Sequence, residues 1–288
     1  MPDETTVTPQ PSEPSPSGSS PSGPFPAGAP APGRPWNRLG EIRIALVFLT
    51  VLPIRLRPAD LGFGVSHGVR AFPVAGIAVG AGAAVVFTLA DLAGLASLIA
   101  AFLALAAAAL LSGGLHEDGL ADTVDGLSGG RTRERSLAIM RDSAIGAHGA
   151  LALVLATGLR ASAISYTGVT LDTACALIGA AIASRTAIVP VMYLLPPARP
   201  DGASARAGTP HRSRAADSVA IGTLLTALAL APVLQPLTIL LVIVGAGVGA
   251  AVPALLAQRR LGGQTGDVLG AVQQCAEIGF LLVFIADP

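Results

Sequence analysis

Long apolar stretches recur along this 288-residue chain and limit the folds it can adopt. Each has roughly 18 to 24 residues, the length that a helix needs to cross a bilayer. Backbone groups in hydrocarbon must be satisfied within the segment, so helices are the economical structure. We therefore predict an all-α, polytopic integral membrane bundle with about seven transmembrane helices. The predicted spans are 71–92, 94–113, 146–168, 172–195, 218–235, 237–257 and 269–286.

The N-terminal part of the chain has a different composition. Residues 1–33 are dominated by Pro, Ser, Gly and Ala, and such a segment buries too little apolar surface to offset the entropy of ordering. We predict a disordered tail, followed by one membrane-embedded domain over residues 34–288. The apolar stretch 44–54 is too short to span a bilayer and contains Pro53, so we expect a re-entrant or interfacial helix there.

Arginine is concentrated in a few connections between the predicted spans, although the formal net charge of the chain is zero. The connections near residues 93, 170 and 236 contain none. Because cytoplasmic loops carry an excess of basic residues, we expect the arginine-rich connections on the cytoplasmic side of the inner (plasma) membrane. The arginines concerned are Arg55, Arg57, Arg70, Arg131, Arg133, Arg135, Arg141, Arg199, Arg206, Arg212, Arg214, Arg259 and Arg260.

The densest polar run of the chain, residues 113–126, falls in one of these connections. If it is helical, Asp118, Asp122 and Asp125 stand at i, i+4 and i+7 and share one face. Carboxylates so placed repel each other unless a cation binds them, and carboxylate oxygens are ligands that Mg²⁺ prefers. The alternative is a solvated loop whose acids balance the arginines that follow. We favour a Mg²⁺ site for phosphate chemistry, because the flanking glycines let the backbone approach a ligand closely.

Further polar residues lie at the ends of the predicted spans or inside them. The segment 262–267 precedes the last span, where a helix N-terminus binds anions; a capped glycine-rich turn is the alternative. Arg160, Arg185 and Glu277 lie within spans, where an unpaired charge costs a few kcal/mol. By depth, Arg185 and Glu277 are within about a turn of each other. This placement predicts either a structural ion pair or the lining of a polar substrate cavity.

Motifs spread over nearly the whole chain after residue 40 match one family in their order. The longest is Gly-Gly-Leu-His-Glu-Asp-Gly-Leu-Ala-Asp-Thr-Val-Asp-Gly at 113–126, and the others lie at 48–53, 72–76, 131–135, 139–146, 184–185 and 263–270. Together they resemble the cobalamin synthase family, also called adenosylcobinamide-GDP ribazoletransferases. The resemblance implies a membrane enzyme that uses Mg²⁺ to join adenosylcobinamide-GDP to α-ribazole or its 5′-phosphate. The implied products are adenosylcobalamin, or its 5′-phosphate, and GMP.

The resemblance also implies roles for individual residues. Glu117, Asp118, Asp122 and Asp125 would form the acidic centre for Mg²⁺, and one of them would accept the hydroxyl proton. His116 would orient an acid or act as the base. Residues 200–217 depart from the family's pattern, so no substrate contact is predicted there. From the matched motifs and the polar residues described above, the expected substrate-binding residues are Arg131, Arg133, Arg141, Asp142, Arg185, Thr265 and Asp267.

Two other functions are compatible with an acidic membrane site. CDP-alcohol phosphotransferases also combine Asp-Gly motifs with Mg²⁺, but their signature requires Ala-Arg two residues after Asp-Gly, whereas Asp118-Gly-Leu-Ala is followed by Asp122. An ion-coupled transporter also carries intramembrane charges, but here the acids lie in a connection between spans. We expect an enzyme whose partners are its two small-molecule substrates and the lipid bilayer, with no nucleic acid. A homo-oligomer is compatible with the sequence.

Overall fold

The computed structural model describes residues 37–58, 60 and 64–286, and the predicted tail at 1–33 lies outside them. Within the described residues the chain is helical, with one isolated bridge between Pro197 and Gln264 instead of a sheet. The all-α prediction is confirmed. In chain order the α-helices are α1 (Arg38–Leu49), α2 (Phe72–Leu92), α3 (Ser97–Leu111), α4 (Leu115–Gly129), α5 (Arg133–Ile139), α6 (Ala147–Tyr166), α7 (Thr170–Leu194), α8 (Ala203–Ala207), α9 (Arg212–Leu230), α10 (Pro236–Leu261) and α11 (Gly266–Ile285).

Seven of these helices occupy the positions of the seven predicted spans. Over the part of the chain that the structure describes, α2, α6, α7, α10 and α11 are long and apolar enough to cross a membrane. Helix α3 has 15 residues and qualifies only together with α4, across a bend of 91°, while α9 is not among the qualifying helices. The multi-pass prediction is confirmed. The predicted number of about seven is not, because length and composition support five spans, or six with the bent pair.

The span predicted at 94–113 is shorter than expected because the chain breaks at two glycines. Gly113 and Gly114 have φ angles of 65° and 68°, in the left-handed region that favours glycine. Helix α3 therefore ends at Leu111, and α4 begins at Leu115 in a new direction. The four acids of α4 make it too polar to cross hydrocarbon alone, so we treat it as lying outside the membrane-spanning helices.

The short N-terminal helix lies slightly earlier in the chain than the apolar stretch predicts. It begins after Asn37, whose side chain accepts a hydrogen bond from the Leu39 amide at 2.9 Å, and it ends before Pro53. Its 12 residues are too few to cross a bilayer. Ile44 and Leu49 are buried on its inner side, which packs against α2. Packing against other helices thus holds α1 in place without a crossing.

Helix α7 forms the centre of the bundle. It packs against α2, α9, α10 and α11, and 83% of its most apolar 18-residue window is buried. Its approach to α2 is close because α2 carries glycines at the contact. A Cβ atom added at Gly76 would lie 2.6 Å from backbone atoms of Ala181 and Ile182. Small residues at helix interfaces are typical of membrane bundles, and here they fix the depth and rotation of the helix that carries Arg185.

The arginine-rich connections meet at one end of the bundle. The Arg260 guanidinium donates to the Leu127 carbonyl at 3.1 Å, and the Gln264 amide donates to the Pro196 carbonyl at 2.9 Å. At the opposite end, the Thr170 hydroxyl donates to the Asp91 carboxylate at 2.6 Å. The predicted grouping of the connections into two sets is therefore consistent with the structure.

This arrangement leads to a prediction about thiol labelling. Single cysteines at Ser128, Ser213 and Gln258, all exposed, should react with an impermeant thiol reagent from one side of the membrane only. A cysteine at the exposed Val169 should react only from the other side. Labelling would be measured in intact cells and inverted vesicles, with Cys175 and Cys275 replaced by Ala. Opposite sidedness of positions 128 and 258 would contradict the placement of their two connections at one end.

Candidate active site

The acidic run forms a packed helix. Residues 115–129 make up α4, as the spacing of the aspartates predicts, and this helix lies against α5, α6 and α11. His116, Thr123 and Asp125 are buried, so the segment is not a solvated loop. Gly119 permits close contact with α11. A Cβ atom added at Gly270 of α11 would lie only 3.0 Å from the Gly119 Cα. The rotation of α4 about its axis therefore decides what each acid can reach.

Carboxylates of α4 and α11 lie within range of each other's charges. Asp118 and Asp122 of α4 lie close enough to Asp267 of α11 for their charges to interact. Partial burial, and then the negative charge of Asp118, Asp267 and Asp125, raises the pKa of Asp122 to about 6. Carboxylates whose pKa is raised by neighbouring negative charges are typical of a cation or catalytic site. Asp267, far away in sequence, thus joins two of the four predicted metal ligands.

Asp125 has a different environment. Its two oxygens accept hydrogen bonds from the amides of Gly146 and Gly149, at 2.7 and 2.8 Å, at the N-terminus of α6. A carboxylate in this position satisfies free helix amides and interacts favourably with the helix dipole. Asp125 therefore joins α4 to α6, with both oxygens already engaged.

Glu117 also points away from the other acids. Its carboxylate accepts from the Gln274 amide at 3.0 Å and lies 3.8 Å from the Arg160 guanidinium. The structure thus does not bring the four predicted ligands together. Among the described residues, no group of three or more His, Cys, Asp or Glu side chains is arranged to hold a metal ion. Mg²⁺ commonly uses one or two protein carboxylates, with water and substrate phosphates as the other ligands, so Asp118 and Asp122 fit such a site.

Arg199, which the sequence analysis placed only among the loop arginines, lies beside this cluster. Its guanidinium donates to the Asp267 carboxylate at 3.1 Å, and its charge favours ionisation of Asp122. The side chain is 14% exposed. In sequence, the only indication was its position directly after the Pro196-Pro-Ala that ends a predicted span, which is a weak signal.

The arginines predicted to bind phosphate have other contacts. Arg133 donates to the carbonyl oxygens of Leu261, at 2.7 Å, and of Ala198. Arg141 pairs with Asp201 at 2.6 Å, and both side chains are more than half exposed. Arg131 and Asp142 are exposed, and Asp142 accepts from the nearby Ala144 amide at 3.2 Å. Two of the three predicted phosphate ligands therefore contact the 196–201 segment.

The residues predicted around the last span lie at the start of α11. The Thr265 hydroxyl accepts from the Val268 amide and donates to Asp267, at 3.2 and 3.1 Å. The N-capping alternative is thus the observed role of Thr265. Because it also holds the Asp267 carboxylate, the cap positions one acid of the cluster.

A buried polar network lies at the N-terminal end of α4. Arg160 of α6 pairs with Glu277 of α11 at 3.4 Å, and the Gln273 amide donates to the same carboxylate at 2.6 Å. Arg185, 2% exposed, donates to the Ala181 carbonyl at 3.3 Å. The predicted proximity of Arg185 and Glu277 is correct, since both line one small cavity, but the direct ion pair with Glu277 is made by Arg160.

His116 faces that cavity together with Glu117 and Gln274. One polar atom of each of these three side chains, and the Arg185 Nε, is buried without a hydrogen-bonding partner among the residues that the structure describes. The cavity measures roughly 10 Å³, which is about the space for one water molecule. His116 and Arg185, both predicted as site residues, therefore lie in a closed polar core beneath the acids.

The close contact between α4 and α11 leads to a second prediction. In Gly119→Ala the added Cβ would lie 2.7 Å from the Asp267 carbonyl oxygen, so the helices must separate at an expected cost of about 1–3 kcal/mol. We expect lower thermal stability and lower activity, because the acids of α4 move relative to Asp267. Gly158→Ala is the matched control, since over the described residues a Cβ there has no atom within 4 Å apart from its chain neighbours and the nearby backbone of its own helix. Equal behaviour of the two variants would contradict this prediction.

Comparisons with known proteins agree with the resemblance seen in the motifs. The profile of the family described as cobalamin-5-phosphate synthase matches residues 41–285. A Bradyrhizobium diazoefficiens protein named adenosylcobinamide-GDP ribazoletransferase is 47% identical over 251 residues, covering 87% of this chain and 95% of the relative. Proteins of the same name from Azorhizobium caulinodans and Mesorhizobium japonicum are 44% and 42% identical, over 85% and 86% of this chain and 94% of each relative. No solved structure matches the chain.

Proposed function

The chain belongs to the cobalamin-5-phosphate synthase family, and we propose that it joins adenosylcobinamide-GDP to α-ribazole or α-ribazole 5′-phosphate. The products are adenosylcobalamin, or its 5′-phosphate, and GMP. The observation that supports this reaction most directly is the ion pair between Arg199 and Asp267, with Asp118 and Asp122 close enough for their charges to interact with Asp267. Negative ligands for a cation next to a guanidinium suit a substrate that carries a diphosphate.

In this reaction a ribose hydroxyl attacks the phosphorus on the cobinamide side of the diphosphate. A new P–O bond forms, and the bond to the GMP oxygen breaks with its electron pair. We assign Mg²⁺ to Asp118 and Asp122; when bound, it neutralises charge on the dividing diphosphate. One carboxylate of the cluster accepts the hydroxyl proton.

We assign the active site to the cytoplasmic face of the plasma membrane. The acidic cluster lies at the end of the bundle where the arginine-rich connections meet. Basic residues are retained on the cytoplasmic side, which gives this end its orientation. The proposed orientation also gives the site direct access to soluble nucleotides.

The reaction can be tested with purified protein in detergent or liposomes. Adenosylcobinamide-GDP, α-ribazole and Mg²⁺ should together release GMP, measured by chromatography, and omission of any one should stop the release. EDTA should abolish turnover and added Mg²⁺ should restore it. Release of CMP from a CDP-alcohol, or ion transport without GMP release, would instead support one of the two competing functions.

A further inference from the structure

The segment 196–208 is fixed against the active site from several sides. The Ala198 amide donates to the Gln264 carbonyl at 2.8 Å, beside the bridge between Pro197 and Gln264. The Ser204 hydroxyl donates to the same carbonyl at 3.4 Å, and Arg133 binds the Ala198 carbonyl. Residues on both sides of Arg199 are therefore held by α5 and by Gln264, which precedes α11. This support positions the Arg199 guanidinium before any substrate arrives.

The Arg199 guanidinium uses only part of its hydrogen-bonding capacity. It donates to Asp267 at 3.1 Å and, weakly, to the Leu137 carbonyl at 3.5 Å. Its Nε is buried and has no hydrogen-bonding partner within the described part of the chain. A guanidinium has five N–H donors in a fixed planar arrangement that matches two oxygens of one phosphate. Arg199 can therefore bind a phosphate group without losing its contact with Asp267.

The charges around Arg199 indicate which phosphate it meets. Asp118, Asp122 and Asp267 carry more negative charge than one guanidinium neutralises, so a bare anion would be repelled. A diphosphate that arrives with a divalent cation removes this repulsion. Asp118 and Asp122 would hold such a cation, which would neutralise their charge, and Arg199 would be left to contact the diphosphate. The second substrate, α-ribazole, carries the attacking hydroxyl and no diphosphate. It therefore does not require a phosphate contact from Arg199.

We propose that Arg199 binds the diphosphate of the nucleotide substrate, and that Arg133 and Arg141 act indirectly by holding the segment that presents it. Arg133 binds the Ala198 carbonyl, and Arg141 pairs with Asp201. This inference rests on the proposed function for the identity of the substrate. It assigns direct phosphate contact to an arginine that family motifs did not indicate.

The experiment compares Arg199→Gln and Arg199→Lys with the wild type. KM is measured for adenosylcobinamide-GDP at saturating α-ribazole, and for α-ribazole at saturating adenosylcobinamide-GDP. Because a hydrogen bond to a charged group contributes about 1.5–3 kcal/mol, we expect KM for the diphosphate substrate to rise roughly 10- to 100-fold in Arg199→Gln. Arg199→Lys should restore part of the loss, since lysine keeps the charge but not the planar donors. KM for α-ribazole should stay within about twofold.

Arg206→Gln is the matched control, because Arg206 is exposed on the same segment and, among the described residues, donates only to the nearby Asp201 carbonyl, at 2.9 Å. It should leave both KM values unchanged. Unchanged KM for the diphosphate substrate in Arg199→Gln would overturn the proposal. An equal rise in both KM values would also overturn it, because a displaced segment affects both substrates alike.

Binding of inorganic pyrophosphate in the presence of Mg²⁺ provides a readout that does not depend on turnover. Wild-type protein should bind it, and Arg199→Gln should lose roughly tenfold or more in affinity. If wild-type protein binds pyrophosphate through Arg199 but releases no GMP, the proposed reaction fails and the phosphate site stands. If GMP is released normally and Arg199→Gln matches the wild type in pyrophosphate affinity, the phosphate site fails and the reaction stands.

Discussion

Replacing Asp122 with Asn should reduce kcat by roughly 100-fold or more while the protein still inserts and folds. Asp122 lies within range of the negative charges of Asp118, Asp267 and Asp125, and the amide removes the charge that a cation or a hydroxyl proton requires. Higher substrate concentrations should not restore the rate. Because the pKa of Asp122 is raised to about 6, its ionised form destabilises the folded protein above that pH. Asp122→Asn should therefore be at least as stable as the wild type at neutral pH.

Asp125→Asn is the matched control on the same face of α4. Its carboxylate holds two amides of α6, so the amide variant should lose stability, at a cost of about 1 kcal/mol or more, and lose less activity than Asp122→Asn. GMP release and thermal unfolding measured on both variants would separate the two roles. Near-normal activity of Asp118→Asn and Asp122→Asn at limiting Mg²⁺ would show that the metal site is wrongly assigned.

Glu277→Gln should be strongly destabilising. The carboxylate is 8% exposed and pairs with Arg160, while Arg185 lies in the same closed cavity. Without the Glu277 charge, the cavity is lined by two buried guanidinium groups, those of Arg160 and Arg185, and by the Glu117 carboxylate. Removal of one partner from a buried ion pair typically costs about 3–5 kcal/mol. The free energy of unfolding in mixed detergent, and the fraction of monodisperse protein, would measure the effect.

The double variant Arg160→Leu with Glu277→Leu tests the reason for this loss. It removes one charge of each sign and leaves Arg185 with Glu117 in the cavity, so it should recover part of the stability lost by Glu277→Gln. Wild-type stability of Glu277→Gln alone would show that the ion pair contributes little. Equal loss in the single and double variants would show that packing, and not charge balance, is responsible.

Local patterns were sufficient to predict the helices. A long apolar segment in a membrane has helix as its economical structure, so α2, α6, α7, α10 and α11 lie where hydropathy places them. The 3.6-residue period of a helix also placed Asp118, Asp122 and Asp125 on one face. The end of α3 was less predictable from hydropathy alone. It depends on the left-handed conformation of Gly113 and Gly114, which redirects α4 by 91°.

The partners of the polar residues were decided only by tertiary structure. Arg199 contacts Asp267, which is 68 positions away in sequence, and Arg160 contacts Glu277, which is 117 positions away. No local spacing in the sequence therefore relates these pairs. Helical periodicity shows which residues share a face, but the packing of α4 against α6 and α11 determines what that face contacts. For this reason the sequence alone identified the acidic helix but not the contacts of its side chains. In the bundle, both oxygens of Asp125 bind amides at the start of α6, while Asp267 pairs with Arg199 within range of the Asp122 charge.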